Sequence, residues 1–301
     1  MSEAEFDRGK VIRYLVWTFA LAYLIQLIAG WIWNNISILA GQLITAAMMF
    51  VPMLSVLLSG EKLSGMGWNP KIRKNWKQIL IAWLAPAALS TIGAALYFLI
   101  FPDHFDLSGS YVAKLAGEEA LGQLEEQGMT YPLAILVTAA AALTYAPFLN
   151  MLPGLGEEAG WRGFLYPQLR VRFGHRKAWL LGGAIWGAWH WPLIWLIGYE
   201  YGAAAGNSAG YFGFPFTGML VMLVFTIPLG ILADWLYEKS GSIWIPSLLH
   251  GAVNAIATLP FALCLTDTGS ARLLGPAANG LIGGLPMLIL AAVLFFRSEK
   301  E

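Results

Sequence analysis

A small set of ionisable and amide side chains interrupts the apolar segments of this 301-residue sequence. A charged side chain in a hydrocarbon environment is costly, so residues of this kind are by default associated with function. The set consists of Glu157, Glu158, Arg162, His190, His250, Asn150, Asn254 and Asp234. Asp234 and the nearby Glu238 fall close to the end of an apolar segment, where snorkelling or capping is a sufficient account of both.

Four residues of this set have the chemistry of a hydrolytic site. Glu157 can take a proton from water, and His190 can help to hold and activate that water. His250 and Asn254 can donate hydrogen bonds to the oxyanion that develops when a carbonyl group is attacked. The set therefore predicts a hydrolytic centre in a dry cavity, built from separate segments of the chain.

A zinc site is the alternative interpretation of the same residues. Glu157, His190 and His250 can bind zinc and leave one coordination position open for water. The sequence has no His-Glu-x-x-His helix, which is the usual local signature of a zinc hydrolase. We therefore favour a mechanism without metal and without another cofactor.

Three pairs of residues are spaced four positions apart, so that each pair shares one face of a helix. They are Glu158 with Arg162, Trp186 with His190, and His250 with Asn254. The first pair predicts an ion pair that supports the site electrostatically, and the second places an aromatic platform beside an imidazole. Glu157 points about 100° away from Glu158 and is free to face other elements.

The spacing also predicts that the reactive side chains share one depth. The depth of each side chain can be measured along the chain from the nearest basic residue that marks the cytoplasmic surface. The separations are 13 positions from Glu157 to Arg170, 13 from Lys177 to His190, and 11 from Lys239 to His250. In continuous helices these separations correspond to roughly 16 to 20 Å. We expect the Pro-Gly-Leu-Gly run at 153–156 to break the helix, so that Glu157 and Glu158 begin a new one whose N-terminal dipole favours carboxylates.

Composition indicates that these elements cross a membrane. The chain is 58% hydrophobic with a mean hydropathy of +0.62, and 12% of its residues are charged, against about 25% in soluble domains. We predict an all-α, polytopic membrane protein with about eight transmembrane helices, a single domain over 1–301, and an active site buried between helices. The predicted spans are 11–33, 36–58, 78–101, 132–153, 178–198, 214–237, 242–264 and 276–296. The net charge of zero gives no indication of nucleic-acid binding.

Lysine and arginine are distributed unevenly between the two sides of these spans. One side collects 16 of the 18 basic residues, including Lys300, and the other keeps Lys114 and Arg272. Because cytoplasmic loops are enriched in basic residues, we predict an integral membrane protein of the plasma membrane with both termini in the cytoplasm. Segment 68–77, which mixes basic residues with two tryptophans and an isoleucine, is predicted to lie in the membrane interface.

Three short motifs resemble those of the CPBP family, the CAAX-protease and bacteriocin-processing membrane proteins related to the eukaryotic prenyl-protein endopeptidase Rce1. Glu-Glu-Ala-Gly-Trp-Arg at 157–162 matches the Glu-Glu-x-x-x-Arg motif of that family. Trp-Gly-Ala-Trp-His at 186–190 is similar to its aromatic-x-x-x-His motif, with Trp186 where the family usually has Phe. His-Gly-Ala-Val-Asn at 250–254 matches His-x-x-x-Asn, and the CPBP-like catalytic core extends over 145–260.

The resemblance implies an eight-helix intramembrane endopeptidase that cleaves a peptide or a lipid-modified, CAAX-type protein tail from the cytoplasmic side. In the prenyl-protein enzymes a glutamate and a histidine activate water, and a second histidine and an asparagine form the oxyanion hole. Carried over to this sequence, these residues are Glu157, His190, His250 and Asn254, with Glu158, Arg162 and Trp186 in support. The implied partners are the peptide or lipidated substrate and lipid, with no nucleic acid.

Two other functions are compatible with the same residues. A non-catalytic bacteriocin-immunity or scaffold protein of this fold would not need Glu157 or His190. A proton-coupled transporter could use Glu157, Glu158, Arg162 and the two histidines as a relay. Such transporters commonly contain an inverted repeat, and this sequence shows none. The complete set of motifs therefore favours the endopeptidase.

Overall fold

The computed structural model describes residues 6–199, 201 and 210–298. Within these ranges the chain is helical, and its extended backbone pairs only at an isolated bridge between Phe105 and Cys264. The predicted all-α class is confirmed. Lys300, which belongs to the predicted basic side, lies outside the described residues.

The helices follow one another closely along the chain. A π-helical segment, Trp161–Leu165, joins the helix that ends at Gly160 to the helix that begins at Tyr166, and short 3-10 turns occur at Pro102–His104 and Gly269–Leu273. The α-helices of the described residues are α1 (Arg8–Asn35), α2 (Ile38–Met48), α3 (Val51–Leu58), α4 (Trp76–Ile100), α5 (Ser110–Ala116), α6 (Glu118–Glu126), α7 (Tyr131–Leu143), α8 (Ala146–Gly160), α9 (Tyr166–Phe173), α10 (His175–Trp189), α11 (Trp191–Ile197), α12 (Phe216–Ser240), α13 (Trp244–Ile256), α14 (Leu259–Ala262) and α15 (Leu285–Arg297).

Apolar helices are present at each predicted span, and the protein is an integral membrane protein. Six helical stretches of the described residues are long and apolar enough to cross a bilayer, or seven if α7 and the helix that begins with α8 count as one bent span. The eighth predicted span corresponds to α15, which has only 13 residues. The predicted count of eight is therefore not confirmed, because one segment is bent by 55° and another is short.

The predicted helix break before Glu157 is wrong. Helix α8 continues through Pro153 to Gly160, so Glu157 and Glu158 lie in its last turn and not at a helix N-terminus. The interruption occurs earlier, at Thr144, where the backbone leaves the helical region. The reason is that the glycines of the 153–156 run serve packing: a Cβ on Gly156 would lie 2.6 Å from the carbonyl oxygen of Met49.

Close helix contacts at glycine positions bring the site-bearing elements together. On α13, a Cβ at Gly251 would collide with the backbone of α8 at Pro147 and Met151. On α10, a Cβ at Gly183 would lie 2.5 Å from the Cα of Ile227 on α12. Since both approaches require the absence of a side chain, these glycines set how closely α13 packs on α8 and α10 on α12.

Segment 68–77 leads into α4 and is anchored at one point. The side chain of Asn75 is buried and donates hydrogen bonds to the carbonyl oxygens of Pro70, at 2.9 Å, and Ser240, at 3.1 Å. The four basic side chains of the segment are exposed. Its location in the membrane interface stays a prediction.

Candidate active site

Glu157 is buried at the end of α8 and is held by two tryptophans. Its Oε2 accepts hydrogen bonds from the indole Nε1 of Trp161, at 3.1 Å, and of Trp186, at 2.7 Å. Its Oε1 lies 4.0 Å from Nε2 of His250, which is longer than a direct hydrogen bond. Trp161 is not among the residues predicted for the site, although its position four residues after Glu157, on the same helix face, is the signal that could have indicated it.

Glu158 is fully buried and connects Arg162 with His250. Its Oε1 accepts a hydrogen bond from Nη1 of Arg162 at 2.9 Å, so the ion pair expected from the spacing is present. The same oxygen lies 2.9 Å from Nδ1 of His250. An ionised carboxylate can only accept, so Nδ1 of His250 carries a proton and donates to Glu158. Consequently Nε2 is the ring nitrogen of His250 that faces Glu157.

Arg162 is enclosed by aromatic rings in addition to its carboxylate partner. Its guanidinium carbon lies 4.7 Å from the ring centre of Tyr166 and 4.5 Å from that of Trp186. Trp186 was expected to form a platform beside His190, and the two rings form a tilted pair with centres 6.4 Å apart and planes inclined by 51°. The face of Trp186 also packs on the buried cation, whose attraction to the ring is strengthened by its burial from bulk solvent.

His190 directly follows α10, and backbone geometry determines its tautomer. Its Nδ1 lies 3.0 Å from the carbonyl oxygen of Trp186. A carbonyl oxygen only accepts, so Nδ1 carries the proton and Nε2 of the neutral ring is an acceptor. The imidazole stacks parallel to the ring of Tyr199, with centres 6.0 Å apart, and packs edge-on against Trp189.

One cavity joins the predicted site residues. It contains about 1030 Å³ of empty space, counting its open part; most of its lining residues are apolar, and α12 and α13 contribute more of the lining than any other helix. Glu157, His190, His250 and Asn254 all contribute to its wall. Asn254 lies one turn after His250 on α13, and its side chain is exposed. The structure thus brings all four residues to a common space, as the sequence predicts.

The residues of the zinc alternative do not form a compact set of ligands. Oε1 of Glu157 and Nε2 of His250 are 4.0 Å apart, but donor atoms from these two and His190 do not all lie within 4.8 Å of one another. Tetrahedral zinc, with ligands at about 2 Å, brings its donor atoms to about 3.3 Å from each other. As arranged, the three residues do not fit a zinc ion, and we derive no step through a metal.

Asp234 is the buried member of a polar network next to the site, whose other charged side chains are partly exposed. Its Oδ2 accepts hydrogen bonds from Nη2 of Arg170 and Nε1 of Trp179, both at 2.7 Å. Glu238, one turn further on α12, lies 2.7 Å from both Nη1 of Arg170 and Nε2 of His175. The expectation that Asp234 snorkels or caps is wrong, because its side chain is fully buried between α12, α9 and α10.

Comparison with known proteins identifies the part of the chain that carries this site. Residues 129–256 match the family model described as Type II CAAX prenyl endopeptidase Rce1-like. The match covers 128 of the 301 residues, and this part of the chain, which we call the Rce1-like segment, is similar to that family. All the catalytic and supporting residues predicted from the sequence lie in the Rce1-like segment.

A curated protein is also similar to part of this chain, over 108 residues. CAAX prenyl protease 2 of Methanococcus maripaludis is 32% identical to this chain over 108 residues. The match covers 36% of this chain and 37% of the relative, so it spans little more than a third of either protein.

Proposed function

We propose that this protein is an intramembrane endopeptidase that hydrolyses a peptide bond near the C-terminus of a prenylated, CAAX-type protein or peptide. The observation that carries this proposal is the 4.0 Å separation of Glu157 Oε1 and His250 Nε2 on the wall of an apolar cavity. That separation suits two groups that hold one water molecule, or one reacting oxygen, between them. The Rce1-like segment and the relative named as a CAAX prenyl protease support it.

In the proposed reaction Glu157 is the general base. Nε2 of His190 accepts a hydrogen bond from the attacking water molecule and so helps to orient it. Glu157 takes the other proton of this water as its oxygen attacks the carbonyl carbon of the substrate. Trp161 and Trp186 both donate hydrogen bonds to Oε2 of Glu157, so Oε1 is the oxygen that receives the proton from water. When the carbon–nitrogen bond breaks, Glu157 returns this proton to the leaving amine, so that no net proton is gained or lost.

His250 and Asn254 are the proposed oxyanion donors. Asn254 donates from its amide, and His250 donates from Nε2 when the ring is protonated at both nitrogens. The carboxylate of Glu158 on Nδ1 holds the ring in the orientation that this donation requires. Arg162 neutralises Glu158, so a charged histidine adjacent to it is part of a buried network and not an isolated ion.

The substrate class follows from the cavity and the family together. An apolar cavity among membrane-spanning helices can hold an isoprenoid chain and the apolar residues of a CAAX tail, which gain about 25 cal/mol for each Å² of apolar surface removed from water. We further propose that the reaction needs no metal or other cofactor, that both termini are cytoplasmic, and that the enzyme resides in the plasma membrane. Lipid is the surrounding solvent, and nucleic acid is not a partner.

The deciding experiment compares purified wild-type protein with Glu157→Gln in lipid nanodiscs. A farnesylated CAAX peptide and its unprenylated counterpart are supplied, and the released tripeptide is measured by mass spectrometry. We expect cleavage of the farnesylated peptide by the wild type and loss of cleavage in Glu157→Gln, which removes the base and keeps the shape. Glu119→Gln, at an exposed position on α6, is the matched control and should cleave normally. Full turnover by Glu157→Gln would refute the assignment.

A further inference from the structure

Six buried polar atoms along α8, the π-helical segment, α9 and α12 make no hydrogen bond of standard geometry to the described residues. They are Oε2 of Glu158, Nε and Nη2 of Arg162, the hydroxyl of Tyr166, Nε of Arg170 and Oδ1 of Asp234. Buried polar atoms are normally satisfied, and ordered water is the usual partner where the protein supplies none. Their concentration in one strip of the molecule therefore calls for a common explanation.

Regular spacing places four of these residues in one row. Glu158, Arg162, Tyr166 and Arg170 recur every fourth position through α8, the π-helical segment and α9. In an ideal α-helix each such step drifts about 40° around the axis. The wider turn of the π-helical segment reduces this drift, so the side chains stay on a single face. We call these four residues and Asp234 the polar row.

Helix α12 closes the other side of the polar row. A Cβ on Gly230 would collide with the hydroxyl of Tyr166 and would lie 3.4 Å from Nη2 of Arg162, so these two atoms converge at this glycine. Asp234 follows one turn later and binds Arg170. The absence of a side chain at Gly230 therefore lets the hydroxyl of Tyr166 lie directly against α12, next to Arg162.

The two ends of the polar row lie in different environments. At one end Glu158 contacts His250 in the cavity wall, with 2.9 Å between Oε1 and Nδ1. At the other end the side chain of Arg170 is 28% exposed. The row contains two carboxylates, two guanidiniums and the uncharged phenol of Tyr166, so it is polar throughout while its formal charges cancel.

We propose that the polar row binds a chain of ordered water molecules and supplies the cavity with water from the surface that carries Arg170. Delivery of water to the reaction rests on the proposed hydrolysis, whereas binding of water does not. Each hydrolysed peptide bond consumes one water molecule, and the remaining cavity wall is mainly apolar. A polar connection to the surface meets that demand without opening the cavity to bulk solvent.

Water binding can be tested by X-ray radiolytic footprinting of the protein in nanodiscs, because hydroxyl radicals label aromatic side chains next to bound water. Tyr166 and Tyr97 are equally buried, but the hydroxyl of Tyr97 is bonded to His104 at 2.8 Å. We expect Tyr166 to be labelled several-fold faster than Tyr97. Labelling of Tyr166 at the slow rate of Tyr97 would overturn the proposal.

A pair of matched glycine variants tests the path itself. Gly230→Ala places a methyl group against the hydroxyl of Tyr166, and Gly218→Ala on the same helix places one against the hydroxyl of Tyr211, away from the polar row. We expect only Gly230→Ala to reduce labelling of Tyr166 several-fold. If Gly230→Ala does not fold, Tyr166→Phe removes one water ligand without added bulk. Reduced labelling of Trp186, whose ring also packs on Arg162, is then the expected result.

The same variants separate water supply from hydrolysis. We expect Gly230→Ala to lower kcat for the farnesylated peptide several-fold with an unchanged KM, and Gly218→Ala to match the wild type. A folded Gly230→Ala protein that loses labelling and keeps full kcat would overturn the supply role. Footprinting needs no turnover, so a negative result for hydrolysis in the Glu157→Gln comparison leaves the water-binding test intact.

Discussion

Nε1 of Trp186 donates a 2.7 Å hydrogen bond to Oε2 of Glu157, while the backbone carbonyl of the same tryptophan lies 3.0 Å from Nδ1 of His190. One residue thus positions both the proposed base and its histidine partner. Its side chain determines which oxygen of Glu157 is free, and its backbone determines which nitrogen of His190 is free. Phe, the usual residue at this position in the resembling family, could supply only the backbone contact.

Trp186→Phe is expected to weaken catalysis without abolishing it. The change removes one donor to Glu157, and a hydrogen bond to a charged group contributes about 1.5 to 3 kcal/mol, so kcat/KM should fall about ten- to a hundredfold. Peptide cleavage kinetics measure the effect. Trp195→Phe, at an exposed position on α11, is the matched control and should leave kcat/KM unchanged. An equal loss in both variants would count against a specific role for the indole donor.

Glu158→Gln is expected to reduce both stability and activity. It leaves the fully buried Arg162 without a counter-charge, which costs about 3 to 5 kcal/mol of folding free energy. The double variant Glu158→Gln with Arg162→Met removes both charges and should recover most of that stability. Thermal unfolding in detergent measures the first effect, and peptide cleavage measures the second.

We expect the double variant Glu158→Gln with Arg162→Met to recover stability but not peptide cleavage. His250 needs the carboxylate of Glu158 on Nδ1 to keep its proposed orientation, and the second substitution does not restore it. Recovery of full cleavage in Glu158→Gln with Arg162→Met would show that Glu158 acts only as a partner for Arg162.

Chelation is expected to leave cleavage unchanged. The donor atoms of Glu157, His190 and His250 are too widely separated to hold zinc as arranged, and the proposed reaction uses Glu157 as the base. Turnover of the farnesylated peptide is measured after incubation with EDTA or 1,10-phenanthroline followed by buffer exchange. Loss of activity that added zinc restores would replace the proposed mechanism with a metal-dependent one.

Gly251→Ala is expected to destabilise the protein through the contact of α13 with α8. The added methyl group meets backbone atoms of Pro147 and Met151, which cannot rotate away, and overpacking of this kind costs about 1 to 3 kcal/mol. Gly122→Ala is the control, because no atom lies within 4 Å of a Cβ there. Thermal unfolding should show a lower transition for the first variant and no decrease for the second.

Local patterns in the sequence predict those features of this protein that depend on one helix at a time. The apolar segments predict the membrane helices, and the four-residue spacing of Glu158 and Arg162 predicts their ion pair. The motif residues also predict which side chains share the cavity. These predictions succeed because helical periodicity fixes the relative directions of neighbouring side chains.

Contacts between distant parts of the chain could not be read from such spacing. The bond from Trp186 to Glu157 joins residues 29 positions apart, that between His250 and Glu158 joins residues 92 apart, and that from Arg170 to Asp234 joins residues 64 apart. Each of these contacts depends on the rotation of two packed helices and on the distance between their axes. The close contacts at glycine positions help to set both, but they exist only in the folded protein.

The course of α8 shows how tertiary packing overrides local preference. Pro153 and its neighbouring glycines favour a break, and an isolated helix would lose a hydrogen bond at the proline. In the folded protein the helix continues, because Gly156 packs on Met49 and Gly154 faces His250, and a break would separate these surfaces. Burial of Asp234 has the same origin: Arg170 and Trp179 reach it from other helices, so the carboxylate has partners that its own segment does not provide.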